Sequence, residues 1–276
     1  MKKTLGIRLY IILAAGLVLA HKGLWAAEDQ SGNAAAPPPR IPYSDNAPLY
    51  PSPPRPALPP EMRGDIFMAR KDYPKAVDFY SRAIRQTGQG NAVLWNKLGI
   101  ALQQEDNFRG AEKAYRRSVR LQRDFAAAWN NLGTTYYLTN RYGKSIKLYK
   151  RAVKLDSKAA SFHLNLGTAY YHKHKYELAV GEYRAALVLD PNILLENSSS
   201  GSIVQARTAD VGYYFYMAKV FASLGRNQEA IRYLRHAFED GFKDFRRLDR
   251  DPDFIKVRND PAYISLRQHP PKAITD

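Results

Sequence analysis

The chain of 276 residues contains no cysteine. Disulfides, thiolate metal sites and cysteine nucleophiles are therefore excluded, and so is a lipid anchor carried on cysteine. Histidine is scarce, with six residues. His172 and His174 flank Lys173, but no carboxylates at metal-ligand spacing join them. There is no His-Glu-x-x-His, no Gly-rich phosphate loop and no Gly-x-Ser-x-Gly elbow. Asp249, Asp251 and Asp253 alternate in a way that hints at calcium, yet no glycine and distal glutamate complete a calcium loop. These patterns predict no catalytic residue, no metal site and no cofactor, and the chain reads as a non-enzyme. Acidic residues are also in short supply: 26 Asp plus Glu stand against 42 Lys plus Arg, for a formal net charge of +16.

What is present begins with a leader. Lys2, Lys3 and Arg8 form a basic n-region ahead of the apolar run Leu9 to Ala20. That run has the length of a signal h-region and is short for a membrane span. Residues 1–27 are therefore read as a signal peptide, with cleavage after Ala20, Ala26 or Ala27, and with an uncleaved N-terminal anchor as the alternative. Either way the chain is expected to be exported, periplasmic or secreted. Residues 28–60 form a linker. Eleven of the 17 prolines fall between Pro37 and Pro60. Proline lacks the N–H and fixes φ, so PSPPRPALPP is expected to be an extended polyproline II tether.

Beyond Pro60 the sequence repeats. Leu98-Gly99, Leu132-Gly133 and Leu166-Gly167 recur at one constant spacing. Trp95, Trp129 and His163 precede each glycine by four, Ala111, Ser145 and Ala179 follow it by twelve, and Tyr115, Tyr149 and Tyr183 come four later. Ser118, Ala152 and Ala186 complete the pattern. Each unit reads as two helices with a break near its middle: in the third, Ala127 to Leu138, a turn at Thr139-Asn140-Arg141, then Tyr142 to Leu155. Small residues sit where two helices must approach closely, and large ones fill the remaining space. One such pair cannot bury its apolar face alone, so neighbours must stack. Weaker copies flank the three, at 57–91 and 211–244, separated from them on the C-terminal side by a polar insertion at 194–210.

A period of about 34 residues with these columns resembles the tetratricopeptide repeat. The segment after the fifth unit, with the Asp251-Pro252 pair echoed by Asp260-Pro261, resembles the end-of-group motif that follows many bacterial tetratricopeptide arrays. Each Asp-Pro pair is expected to start a short helix, with Phe254, Val257, Tyr263 and Leu266 turned inward. The resemblance implies an all-α, right-handed helical solenoid over 61–244. About five helix pairs (57–91, 92–125, 126–159, 160–193, 211–244) are capped by 245–268 and followed by a tail, 269–276. It also implies a concave groove lined by the first helix of each pair, where such proteins bind peptides or partner domains.

Within that frame the groove residues are those pointing away from the second helix. The partner-binding set is Asn96, Gln103, Asn130, Asn131, Thr134, Tyr137, Asn165, Thr168 and Tyr171, polar but uncharged. Asn131 and Asn165 are placed to reach either the neighbouring repeat or a bound peptide backbone. Some tetratricopeptide proteins clamp a C-terminal carboxylate with Lys and Asn. Here Ile100, Thr134 and Thr168 replace the asparagine, and Ala127 and Ser161 replace the lysine, so recognition of an acidic chaperone tail is not expected.

The charge lies instead on the second helices. Arg82, Arg117 and Arg151 share a column, Arg85, Arg120 and Lys154 another, with Lys147 and Lys150 beside them. Two functions follow. The leading one is a non-catalytic scaffold of the cell envelope holding a partner protein or peptide in the groove. The other is an envelope-association module whose basic convex face (Arg82, Arg117, Lys147, Lys150, Arg151, Lys154) docks on anionic membrane or cell-wall polymer. A solvated surface is the plain reading of that face. Nucleic acid is a poor candidate, because the aromatics that would stack on bases occupy core columns.

Overall fold

The computed structural model describes residues 57–194 and 211–272. The segment expected to be a signal peptide (1–27), nearly all of the proline-rich segment 28–60 and nearly all of the insertion 194–210 lie outside the described residues. Every regular element among the described residues is helical. Five pairs run in chain order: α1 (Pro60–Ala69) with α2 (Tyr73–Gln86), α3 (Ala92–Gln104) with α4 (Phe108–Leu121), α5 (Ala126–Leu138) with α6 (Tyr142–Leu155), α7 (Ala160–His172) with α8 (Tyr176–Leu189), and α9 (Val211–Ser223) with α10 (Asn227–Glu239). Each helix packs on its partner within the pair, and α2, α4, α6 and α8 pack on the first helix of the pair that follows. The molecule is thus an all-α helical solenoid. The first helix of the first pair is short, because proline occupies its start.

The repeat is set by one close contact. A Cβ built on Gly133 would stand 2.8 Å from the Tyr149 ring, and one on Gly99 would stand 2.5 Å from the ring of Tyr115. Gly64 and Gly167 meet Tyr80 and Tyr183 in the same way. Each tyrosine ring therefore packs directly against the backbone of the preceding helix, and the space it fills exists only because the side chain opposite is missing. Tyr115, Tyr149 and Tyr183 are buried completely or nearly so.

The turn within each pair recurs as well. Lys71, Asp106, Asn140 and His174 occupy equivalent positions with φ between 55° and 59°, and Gly225 does so at 72°. One left-handed residue after the first helix lets the next amides bond back to its last carbonyls, as Asp106 N does to Gln103 O and Asn107 N to Leu102 O. Asn91 and Asn107 then cap α3 and α4 through side-chain bonds to Leu94 N (3.1 Å) and Gly110 N (2.9 Å).

The segment after α10 folds back on the last pair. It begins with a helix that the sequence pattern does not announce, α11 (Phe245–Arg250), capped by Asp244. A 3-10 turn at Pro252–Phe254 capped by Asp251 leads into α12 (Ile255–Arg258), and Asp260 caps α13 (Pro261–Gln268). The first Asp-Pro pair thus opens on a 3-10 turn. The four expected inward residues, Phe254, Val257, Tyr263 and Leu266, are all buried. They cover apolar surface of α9 and α10 that would otherwise face water, each contributing on the order of 1.5–3 kcal/mol.

Replacing Gly133 by alanine is expected to push the Tyr149 ring out of its seat and lower stability by roughly 1–3 kcal/mol. Chemical denaturation followed by circular dichroism reads this loss; an unchanged midpoint would show that the ring can move aside freely.

Candidate partner-binding face

The first helices α3, α5 and α7 lie side by side and touch one another directly. Their polar side chains are engaged between repeats. Asn131 Nδ2 donates to Asn96 Oδ1 at 3.1 Å, and Asn165 Nδ2 donates to Asn130 Oδ1 at 2.9 Å, each bond reaching back one repeat. Asn130 Nδ2 donates to Asn131 Oδ1 at 3.3 Å, and the Thr135 hydroxyl donates to Gln103 Oε1 at 3.0 Å. Asn131 therefore takes the first of its two expected roles, the link to the neighbouring repeat.

Thr134 and Thr168 have a different duty. The Tyr149 hydroxyl donates to Thr134 Oγ1 at 3.0 Å, and the Tyr183 hydroxyl donates to Thr168 Oγ1 at 3.1 Å. In the preceding repeat Ile100 occupies this position and cannot accept. The buried Tyr115 hydroxyl has no hydrogen-bond partner there. Burial raises the Tyr115 and Tyr149 hydroxyls far above the ordinary phenol range, so both stay neutral.

These contacts correct the expected groove set. Asn96, Gln103, Asn130, Thr134, Tyr137, Asn165, Thr168 and Tyr171 are all buried, and only Asn131 is half-exposed. The asparagines and Gln103 join one repeat to the next, whereas Thr134 and Thr168 turn toward the tyrosine of their own second helix. Tyr137 and Tyr171 belong to an aromatic row. Tyr137 lies 5.4 Å from the rings of Tyr142 and His172, and Tyr171 lies 5.5 Å from Tyr176, 6.0 Å from Tyr213 and 6.1 Å from Tyr216. Edge and offset contacts of this kind favour packing. What remains accessible on these helices is their outer edge: Val93, 43% exposed, with the half-exposed Ala127 and Ser161 at the equivalent positions and Asn131 one turn on from Ala127.

The recurring column of Trp95, Trp129 and His163 does more than fill space. Trp95 Nε1 donates to Gln89 O at 3.0 Å and Trp129 Nε1 to Arg123 O at 2.9 Å, closing the same local loop in both repeats. His163 replaces the indole: its Nε2 lies 3.1 Å from Ser157 O, at the equivalent place, and its Nδ1 lies 2.7 Å from Glu182.

The members of the basic set, Arg82, Arg117, Lys147, Lys150, Arg151 and Lys154, are all exposed on the second helices. Sequence reasoning missed a further charged centre. Lys219 of α9 is buried and meets Asp251 at 3.0 Å, Glu177 at 3.2 Å and Asp253 at 3.6 Å. Burial opposes its charge, but hydrogen bonds to Asp251 and Glu177 outweigh that effect and hold the ammonium above lysine's ordinary range. Two of the three alternating aspartates, Asp251 and Asp253, thus hold a lysine of the solenoid, while Asp249 pairs with Arg267. Arg247 adds to the clamp, donating to the Tyr216 hydroxyl at 2.6 Å with its guanidinium 4.3 Å from the Phe215 ring centre.

The repeats are matched by known family models. Models of the tetratricopeptide repeat match residues 92–125, 134–174 and 160–193. The solenoid is built of tetratricopeptide repeats, and the chain is a tetratricopeptide-repeat protein. No curated protein matches the sequence. Similar solved structures include MamA from Desulfovibrio magneticus, at 15% identity and TM-score 0.47, covering 64% of this chain and 89% of that one. YrrB, described as a tetratricopeptide protein with an unusual peptide-binding site, is 14% identical at TM-score 0.46 over 70% and 90% of the two chains. A thermophilic tetratricopeptide protein of Thermus thermophilus is 18% identical at TM-score 0.46 over 68% and 92%.

The buried contacts can be tested directly. Tyr149→Phe is expected to cost about 1 kcal/mol, whereas Tyr115→Phe removes a hydroxyl with no partner and is expected to be neutral or stabilising. Equal losses in urea denaturation of the two variants would refute the distinction. Lys219→Ala leaves Asp251 and Asp253 without their cation, so the segment 245–268 is expected to open, seen as faster amide exchange there than in α3 to α6. Because the folded pKa of Lys219 is raised, its contribution is complete below the unfolded value of about 10.4. It is lost as pH climbs through the folded value, so the wild-type segment is expected to loosen only above that range.

Proposed function

We propose that this protein is a non-catalytic, exported scaffold that holds an extended segment of a partner protein along the edge of its first helices. The observation that carries this reading is the side-chain ladder Asn96–Asn131, Asn130–Asn165 and Gln103–Thr135, which locks α3, α5 and α7 side by side. A solenoid of rigid repeats offers an extended surface made in advance, so little ordering is required when a partner binds. The strip Val93, Ala127, Ser161 and Asn131 is small and uncharged. It suits a segment of low charge, and it lacks the lysines that would attract a carboxylate tail. The basic n-region and the apolar run from Leu9 to Ala20 support a place in the cell envelope.

The test is a double variant, Val93→Arg with Ala127→Arg. These side chains are at the surface, so the fold is expected to survive, as checked by circular dichroism. Proteins co-purifying with the wild-type chain from its native envelope fraction are expected to be lost from the variant. An unchanged set of captured proteins, with the fold intact, would rule the strip out.

A further inference from the structure

The second helices α4 and α6 carry a cationic surface that nothing in the scaffold reading uses. Every exposed residue of α4 is basic: Arg109, Lys113, Arg116, Arg117 and Arg120. On α6 the exposed residues are Lys144, Lys147, Lys150, Arg151 and Lys154, with Gly143 as the single exception. The two helices contain one acid between them, Glu112, which is half-buried. It does not dilute the surface so much as join it. Its carboxylate pairs with Arg116 of α4 at 2.9 Å and with Arg141, at the start of α6, at 2.9 Å. Among the described residues, Lys147, Lys150, Arg151 and Lys154 have no carboxylate within ion-pair distance.

A fold that stacks identical columns must place like charges on adjacent helices, where they repel. Elsewhere the chain relieves such charges with local pairs, as Arg82 does with Asp78 at 2.7 Å. On α6 it does not. Two of these columns then change character in the next repeat, while Arg184 keeps the charge in the column of Lys150. Leu178 takes the column of Lys144 one repeat on, and Val188 takes that of Lys154. Both protrude: Leu178 is 52% exposed and Val188 is 65% exposed, with Leu189 beside it at 41%. The outer face of α8 thus carries bare aliphatic side chains at both ends of the helix, Leu178 in its first turn and Val188 and Leu189 in its last.

We infer that this face docks on an anionic phospholipid surface, with α4 and α6 against the headgroups and Leu178, Val188 and Leu189 at the acyl boundary. The cations supply the attraction, and they act within a Debye length, about 10 Å at 0.1 M salt. The aliphatics supply what a soluble polyanion could not use, since they gain by entering the apolar edge of a bilayer. A nucleic acid would call for aromatics beside the cations to stack on its bases; the residues here are leucine and valine. Each helix is about 20 Å long, so α4 and α6 together present a broad footprint rather than a single point contact.

The experiment is co-sedimentation of the full chain with vesicles of phosphatidylglycerol in phosphatidylcholine, against phosphatidylcholine alone, from about 50 to about 500 mM salt. The apolar leader is present in every variant, and capture by the neutral vesicles measures its share. Wild-type chain is expected to favour the anionic vesicles and to lose that preference as salt rises. The variant Lys147→Gln/Lys150→Gln/Arg151→Gln/Lys154→Gln is expected to bind them at least about tenfold more weakly. Arg232→Gln/Arg235→Gln on α10 is expected to bind as wild type does, and Leu178→Ser/Val188→Ser to bind at low salt but dissociate at a lower salt concentration. Equal binding to neutral and anionic vesicles overturns the inference. So does a quadruple variant that binds anionic vesicles as tightly as wild type, including the case in which it has lost affinity only for polyphosphate or single-stranded DNA. Surface substitutions of this kind leave the core intact, and matching thermal melts check it.

Discussion

The whole array rests on a ring lying against a bare backbone. Where Gly99, Gly133 and Gly167 meet Tyr115, Tyr149 and Tyr183, the two helices of a pair come close enough for one aromatic to fill the space between them. Close packing in an interior leaves no slack for a side chain at that glycine. Once this contact sets the approach of the pair, the faces that carry the next pair are also set. The repeat period is the distance along the chain after which the same geometry can recur. The fifth pair keeps the approach with Ala218 in the glycine's place and Leu234 in the tyrosine's, both fully buried.

Filling the space with tyrosine has a consequence for polar chemistry. A buried hydroxyl needs a partner, and in two repeats the first helix supplies a threonine at the right height. The amides of Asn96, Asn130, Asn131 and Asn165 likewise satisfy one another across the joints. The polar residues of the first helices are thus drawn inward. They make the stack rigid, and they leave only a narrow, uncharged edge for a partner. The repeat with Ile100 shows the same design without the acceptor, and its tyrosine hydroxyl is orphaned.

Charge is sorted by a separate logic. Where a cation is buried, as Lys219 is, carboxylates surround it and bind the C-terminal segment to the solenoid. Where cations are exposed, on α4 and α6, neighbours of like sign are tolerated because water and salt screen them. The net charge of the molecule therefore says little about its core, and a great deal about one face.

The period, the helix pairs, the Gly–Tyr column and the inward residues of the C-terminal segment could all be read from the sequence, because each is a local spacing repeated until only one packing accommodates it. The basic outer columns were legible for the same reason: a residue that faces water needs no partner to fix its place. The groove was not legible. Thr134 and Thr168 face the tyrosine of their own second helix, and for Asn130, Tyr137 and Tyr171 whether their side is surface or joint depends on how far the next repeat overlaps it. Lys219 was invisible likewise, since its carboxylates come from Glu177 in the preceding pair and from Asp251 and Asp253 beyond α11. Sequence determined which residues share a face. Only the tertiary structure decided which faces are closed, because closure depends on the stacking of one helix pair on another.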